Sequence, residues 1–228
     1  MSTSINLRLP NKDTFNLLIR AHLCLVIIIT LIVYIPMNTN LPFDVINECL
    51  TAVEFFIVFL TVFQIVVNAI AVPKYAQLKP VVFKVRNILK VCGVLILGSV
   101  NFHCIAVLFG APFITSVAET FHFALLLTTT TVLPSLCVLG INFSTWVRVY
   151  AQNCPDVGAE SILYYSSIGS VLGAWLGALP IPLDWDRPWQ VWPITCVLGN
   201  LGGYLLGVCA GNVQLYLHYH RSRKFKLT

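Results

Sequence analysis

The feature that most constrains this chain is a series of six long apolar stretches separated by short polar segments. About 20 consecutive apolar residues in a helix span the hydrocarbon core of a bilayer. A backbone inside lipid must satisfy its own hydrogen bonds, so each stretch is expected to be helical. The sequence therefore predicts an all-α, polytopic membrane protein with six transmembrane helices, at about residues 17–36, 48–70, 88–110, 118–141, 161–180 and 190–217.

The composition supports a fold embedded in lipid. Only 10% of the residues are charged and 57% are hydrophobic, whereas soluble domains carry about 25% charged residues. The segments between the apolar stretches are shorter than a small soluble domain of about 50 residues. Residues 1–228 are therefore expected to form a single multispanning membrane domain, in contact with membrane lipids and not with nucleic acid.

The charged residues between the stretches indicate how the chain is oriented. Of the 14 lysines and arginines, all except Arg187 fall in segments that would share one side of the bilayer. The loops on the opposite side carry mainly carboxylates: Asp44, Glu48, Glu119, Asp184 and Asp186. Since basic segments are retained on the cytosolic side, the pattern predicts that both termini are cytosolic and that the acidic loops face the lumen.

The last five residues, Lys224 to Thr228, match the KxKxx form of a dilysine signal for retrieval to the endoplasmic reticulum. Such a signal acts only on a cytosolic tail, which agrees with the predicted orientation. The same basic residues also serve simply to set the topology. Both interpretations of the tail remain open from the sequence.

Two glycine series occur in the last two predicted spans, and their spacing favours close helix packing. Gly169, Gly173 and Gly177 recur every four residues, as do Gly199, Gly203, Gly207 and Gly211. Residues four apart lie on one face of a helix, and in lipid such small residues let two backbones approach closely. The two series either pack on each other as a hairpin, or one of them receives a helix of a partner protein.

A group of ionisable side chains is expected in the lumenal half of the bundle and on the loop above it: Glu54, His103, Glu119, His122, Asp184 and Asp186. Histidines and carboxylates that converge form a metal site or an acid/base site, and the same residues also hold helices together without chemistry. No metalloprotease or nucleotide-binding motif accompanies them. The eight cysteines lack CxxC or CxxH spacing. No catalytic residue, metal or cofactor is therefore assigned.

The stretch between the last two predicted spans, residues 180–193, combines prolines, tryptophans and charges in a corner. Pro180 and Pro182 cannot continue a helix, and Asp186 is a candidate N-cap before Pro188. Tryptophans prefer the boundary between membrane and water. The corner is expected to anchor the chain there, which explains the tryptophans better than it explains the crowded charges of Asp184, Asp186 and Arg187.

The residues from Gly173 to Cys196, GAWLGALPIPLDWDRPWQVWPITC, closely resemble the signature of the PIG-F family. Members of that family are small multispanning subunits of the glycosylphosphatidylinositol (GPI) ethanolamine phosphate transferases. The chain length, the six predicted spans and the glycine-rich final helices fit the same family over the whole chain.

The resemblance implies a noncatalytic protein of the endoplasmic-reticulum membrane that binds and stabilises a large catalytic subunit, as a heterodimer. Ethanolamine phosphate transfer to the GPI precursor would then take place on that partner. The residues expected to bind the partner are the four glycines of the last span and four residues of the corner: Gly199, Gly203, Gly207, Gly211, Asp184, Trp185, Arg187 and Trp189. The alternative is a membrane enzyme that acts on a phospholipid or GPI headgroup through Glu54, His103, His122 and Asp184.

Overall fold

The computed structural model describes residues 12–38, 45–76 and 85–224. Seven α-helices lie in these ranges: α1 Lys12–Asn38, α2 Cys49–Ala76, α3 Val85–Leu108, α4 Val117–Leu139, α5 Phe143–Trp146, α6 Ala159–Ala178 and α7 Ile194–Lys224. A π-helical turn, Val147–Ala151, continues α5, and a 3₁₀ turn, Pro188–Gln190, precedes α7. No strand occurs in these ranges, and the all-α fold class is confirmed. Most of the KxKxx segment lies outside the described residues.

Five of the helices are long and apolar enough to cross a membrane, so the polytopic membrane class is confirmed. Their apolar spans are Phe15–Pro36 in α1, Cys49–Asn68 in α2, Leu89–Leu108 in α3, Val117–Leu139 in α4 and Ile194–Arg221 in α7. The helix α6 is also 20 residues long, but its serines and tyrosines lower its mean hydropathy below that of these five. The sixth span and the orientation of the termini stay predictions.

The helix α4 occupies the centre of the bundle and packs against α2, α3, α6 and α7. Its side chains Phe123 and Leu126 join Leu60 of α2 and Val197 of α7 in one core, where each is at most 4% exposed. The helix α1 packs against α2 and α7. In contrast, α3 contacts chiefly α4, and most of its surface in the described range is exposed.

A run of four threonines, Thr128 to Thr131, lies in the buried middle of α4. Each hydroxyl donates to the carbonyl oxygen four residues earlier, at distances of 2.6 to 3.1 Å. These bonds satisfy hydroxyl groups that would otherwise be costly in lipid. Thr128 also accepts a hydrogen bond from Ser99 of α3 at 3.2 Å, which ties the exposed helix α3 to the centre.

The start of the last helix differs from the prediction. The span expected from residue 190 begins at Ile194, because Pro188–Gln190 form a separate turn and Val191 is extended at φ −76° and ψ 137°. The Pro193 carbonyl then accepts the first helical hydrogen bond, from the Val197 amide at 2.9 Å. The interpretation of Asp186 as an N-cap was wrong, since Asp186 has φ 48° and Arg187 is the residue that precedes the turn.

Two polar contacts hold the connection between α4 and α6. The Arg148 guanidinium donates to both carboxylate oxygens of Glu160, at 2.9 and 2.7 Å, and to the Cys154 carbonyl at 2.7 Å. The Tyr150 hydroxyl lies 2.7 Å from the Ser135 hydroxyl and 2.9 Å from the Ser167 hydroxyl. Burial raises the pKa of Tyr150, so this phenol stays protonated and joins α4 to α6.

Candidate partner-binding site

The two glycine series face each other where α6 and α7 run antiparallel. A Cβ placed on any of the seven glycines would overlap the opposite backbone. Gly173 and Gly199 lie against each other in this way, as do Gly169 and Gly203. The two helices therefore form an internal hairpin, in contact through their backbones, which we call the glycine seam. All four α7 glycines expected to bind a partner, Gly199, Gly203, Gly207 and Gly211, lie in this seam.

The neighbouring glycine Gly202 shows how local this contact is. A Cβ built on Gly202 would meet nothing within 4 Å, because Gly202 points away from α6. Side chains on the same outward side of α7, such as Leu206 at 73% exposed, are open to the surroundings of the chain. Only the glycines that repeat every four residues are needed for the close approach of the two helices.

The corner between α6 and α7 is held in shape by one side chain, that of Gln190. Its amide nitrogen donates to the carbonyl oxygens of Pro180 and Leu183, both at 2.8 Å. Its amide oxygen accepts from the Arg187 backbone N–H, also at 2.8 Å. These three bonds fix the loop that carries Asp184 and Arg187, so the two charged residues are presented from a defined backbone.

The tryptophans of the corner have two different roles. Trp192 points into the bundle, where its indole N–H donates to the Thr120 hydroxyl of α4 at 3.0 Å and its ring meets Phe123 edge-on at 5.5 Å. Trp185 points outward and is 56% exposed, with its ring 6.0 Å from that of Trp189. The corner is therefore anchored through Trp192 and displays Trp185.

The charged residues of the corner lie on its outer surface. Asp184, Asp186 and Arg187 are all exposed. Within the part of the chain that the structure describes, no carboxylate oxygen lies within 4.0 Å of the Arg187 guanidinium. Because these charges neither pair with each other nor support the bundle, they are free to contact another molecule. The structure thus brings Asp184, Trp185 and Arg187 to one exposed loop, with Trp189 partly buried behind them.

The ionisable group predicted in the lumenal half comes together only in part. His122 of α4 lies 3.3 Å from a carboxylate oxygen of Glu54 on α2. The His103 ring stacks edge-on against Phe121 at 6.0 Å instead of meeting the carboxylate. Among the residues described, no three His, Cys, Asp or Glu side chains are arranged to hold a metal ion. The arrangement is a pair between two helices, and Asp184 belongs to the exposed corner.

Sequence reasoning missed the residues that position the corner. Gln190 was not singled out, and neither was the bond between Trp192 and Thr120. The contact between Gln190 and Arg187 has a local signal, because the glutamine side chain comes three residues after the backbone N–H that it accepts from, at the end of a proline-rich turn. In contrast, the partner of Trp192 is 72 residues away in the chain, and local spacing cannot identify it.

A family model described as GPI biosynthesis protein family Pig-F matches residues 24–212. The chain belongs to this family. The match includes the whole corner, the glycine seam and the Glu54–His122 pair. The family suggested by the residues from Gly173 to Cys196 is thus confirmed.

Individual relatives show how far the similarity extends. The chain is 40% identical over 200 residues to the Homo sapiens protein named "GPI ethanolamine phosphate transferase, stabilizing subunit", covering 87% of this chain and 91% of that protein. It is 47% identical over 133 residues to the Mus musculus protein of the same name, covering 58% of this chain and 61% of that protein.

A fungal relative is similar over a shorter region. The chain is 45% identical over 110 residues to "Glycosylphosphatidylinositol anchor biosynthesis protein 11" of Neurospora crassa, covering 48% of this chain and 39% of that protein. No solved structure matches the chain. The family membership therefore rests on sequence.

Proposed function

We propose that this protein is a noncatalytic subunit of a GPI ethanolamine phosphate transferase, which binds the large catalytic subunit and stabilises it. The observation that carries the proposal is the 40% identity over 91% of a human protein named as the stabilizing subunit of that transferase. A similarity of this extent includes the membrane helices as well as the corner. The proposed role is to support ethanolamine phosphate addition to GPI-anchor precursors in the endoplasmic-reticulum membrane.

The proposed docking site for the large subunit is the corner, through Asp184, Trp185, Arg187 and Trp189. Tryptophan and arginine are among the residue types that contribute most to binding at protein interfaces. The three hydrogen bonds of Gln190 already fix the loop, so docking would lose little conformational entropy. This combination of exposed charge and fixed backbone supports a binding role better than a role in anchoring alone.

The contribution of the seam glycines to partner binding is proposed to be indirect. Gly199, Gly203, Gly207 and Gly211 are occupied by contacts with α6 in this chain. Because α6 and α7 lead directly into the two ends of the corner, their spacing sets the distance between those ends. The glycines would thus support the docking loop without contacting the partner.

The proposed orientation places the corner in the lumen, with six spans and both termini in the cytosol. It rests on the distribution of the 14 lysines and arginines. Thirteen of them fall in segments on one side of the bilayer, and Arg187 falls on the other. A lumenal corner would meet the lumenal part of a membrane-bound partner. A cytosolic C-terminus would also make the KxKxx residues accessible to retrieval machinery.

The test uses cells that lack this subunit and are complemented with single variants. Asp184→Ala and Arg187→Ala should leave the chain abundant in membranes, because exposed charges contribute little to folding. Each should reduce recovery of the large subunit with the tagged chain, since losing one side of a desolvated charge pair costs about 2 to 5 kcal/mol of binding. GPI precursors that lack the terminal ethanolamine phosphate should then accumulate.

A matched control is Arg221→Ala, which removes an exposed arginine from the other end of α7. It should leave both recovery of the large subunit and the precursors unchanged. Normal recovery and normal precursors from the Asp184 and Arg187 variants would show that the corner only anchors the chain. Failure of the wild-type chain to recover the large subunit would reject the proposed function itself.

The rate of ethanolamine phosphate transfer per recovered complex distinguishes the accessory role from the enzyme alternative. The contact between Glu54 and His122 is the observation that favours it. A lost catalytic acid or base lowers the rate by about 10²-fold or more. Under the accessory role, His122→Ala and His103→Ala should each leave transfer per recovered complex within a few-fold of the wild type, and a hundredfold fall would indicate an enzyme.

A further inference from the structure

The helix α2 has two distinct sides, one buried in the bundle and one exposed. Apart from Val66, the exposed positions within residues 49–68, namely Thr51, Glu54, Val58, Val62 and Ile65, fall within an arc of about 80° at 3.6 residues per turn. We call these five residues the α2 outer face. On the other side, Val53, Phe56 and Leu60 are at most 2% exposed. Apart from Glu54, which meets His122 of α4, these exposed side chains contribute little to the packing of the described residues.

Glu54 is an unusual residue for a lipid-facing position. It lies five residues after Cys49, where the apolar span of α2 begins, which places it about 7.5 Å inside the span at 1.5 Å per residue. A carboxylate at such a depth is costly unless it meets protein or a wet cavity. Glutamate is also too short to carry its charge back to the boundary, as lysine and arginine do.

His122 satisfies this carboxylate only in part. It also lies five residues after the start of its span, Val117, so the two side chains share one depth and meet at 3.3 Å. The imidazole is held from the other side, since its Nδ1 lies 2.7 Å from the Ala118 carbonyl oxygen. Even with this contact, the Glu54 side chain remains 54% exposed. Among the described residues, one side of the carboxylate still lacks a protein neighbour.

We propose that the α2 outer face binds a membrane-spanning helix of the large transferase subunit, and that this helix presents a basic or amide side chain to Glu54. The inference rests on the proposed function for the identity of the partner. Charge complementarity determines the chemistry of the contact, because a carboxylate inside the span calls for a hydrogen-bond donor. Val58, Val62 and Ile65 supply an apolar surface below it, and their branched side chains lose little rotamer freedom on contact.

A phospholipid headgroup is the less suitable occupant of this position. Headgroups lie outside the hydrocarbon core, whereas Glu54 lies about 7.5 Å inside the span. A lipid would also have to leave Val58, Val62 and Ile65 in contact with acyl chains, for which no particular side chains are required. A partner helix accounts for the charge and the apolar residues below it together.

The first test is photocrosslinking in the assembled complex. A photoactivatable amino acid at Val62, which is 58% exposed, should crosslink to the large subunit. The matched control is Leu206 on the outer side of α7, which is 73% exposed and lies at nearly the same depth. Leu206 lies 12 residues after Ile194, where the span of α7 begins, and Val62 lies 13 residues after Cys49, where the span of α2 begins. We expect no crosslink to the large subunit from Leu206.

Two results of the crosslinking experiment would contradict the proposal. Crosslinks from Val62 to lipid alone, or crosslinks to the large subunit from Leu206 and not from Val62, would overturn the α2 outer face as the docking surface. These results are separate from the proposed function, which is judged by whether the large subunit copurifies with the wild-type chain at all.

The second test changes the charge at Glu54. Glu54→Gln should lower recovery of the large subunit by about tenfold or more, because a desolvated donor on the partner loses its charged acceptor. Glu54→Lys should lower it further, since a cation would then face the donor. Chain abundance should be unchanged for Glu54→Gln, which keeps the shape of the side chain. Undiminished recovery with Glu54→Gln would overturn the proposal, whether or not Glu54→Lys inserts normally.

Discussion

The glycine seam provides a sharp test of the physical account of this fold, through the single change Gly203→Ala. A Cβ at this position would overlap the carbonyl oxygen of Gly169 and lie 2.9 Å from the Gly173 Cα. Both neighbours are backbone atoms, so no side chain can rotate to make space. The only relief is separation of α6 from α7.

The size of the effect follows from that separation. Ordinary carbon contacts need about 3.5 to 4.0 Å, so the helices must move apart by roughly 1 Å near Gly203. Adding a methyl group to a well-packed contact costs about 1 to 3 kcal/mol. For a chain of this size each kcal/mol lowers the melting temperature by roughly 2 to 4 °C. We therefore expect a fall of roughly 2 to 12 °C.

The matched control is Gly202→Ala, one residue earlier on the same helix. Its Cβ would meet nothing within 4 Å, and alanine is a better helix former than glycine by about 1 kcal/mol. The melting temperature of this variant should be unchanged or slightly higher. Both variants are purified in one detergent, heated in steps, and measured by the amount of monodisperse protein that remains.

Two results would refute the reasoning. Equal melting temperatures for Gly203→Ala and Gly202→Ala would mean that α6 and α7 do not meet through their backbones. A larger fall for Gly202→Ala would mean that the outward side of α7, and not the seam, carries the contact.

Three further predictions follow from the described contacts. Tyr150→Phe should destabilise the isolated chain by about 1 to 3 kcal/mol in the same heating assay, because the hydroxyl groups on α4 and α6 lose their common partner. Tyr164→Phe, which removes an exposed hydrogen bond to Asn153, should cost less. Equal losses from the two variants would contradict this. Arg148→Lys offers one nitrogen where the guanidinium uses two, one for Glu160 and one for the Cys154 carbonyl, and should cost about 1 kcal/mol, so an unchanged melting temperature would show that the second nitrogen adds nothing. Single cysteines at Leu183 and Ser222, in a cysteine-free chain, should label with an impermeant thiol reagent from the lumen and the cytosol respectively, and the reverse labelling would invert the proposed topology.

Much of the fold follows from local patterns in the sequence. The apolar stretches predicted the helices because lipid imposes one solution on a buried backbone. The spacing of Gly169, Gly173, Gly199 and Gly203 indicated a close helix contact, since residues four apart share a face. The threonine run in α4 bonds to carbonyl oxygens of its own helix. Each of these interactions is decided within a few residues, or by a repeat that continues along one helix.

The remaining features depend on contacts between distant segments. Glu54 and Gln64 are both polar side chains of α2, but they meet different surroundings in the bundle. Gln64 is buried and donates to the Tyr204 hydroxyl of α7 at 3.3 Å, whereas Glu54 remains exposed. The sequence also grouped His103 with His122, and only His122 meets a carboxylate. Which helices become neighbours depends on the packing of the whole bundle. The periodicity within one helix does not predict it.

The hydrogen bond from Trp192 to Thr120 connects the corner to the α2 outer face through the first turns of α4. Thr120 lies two residues before His122 on the first turns of α4, and His122 touches Glu54. A partner docked at the corner would therefore meet a loop that is tied to the segment supporting the carboxylate on α2. A displacement of this one segment of α4 would therefore reach both surfaces. Replacing Trp192 by phenylalanine would remove the hydrogen bond to Thr120 while leaving the residues of each surface in place.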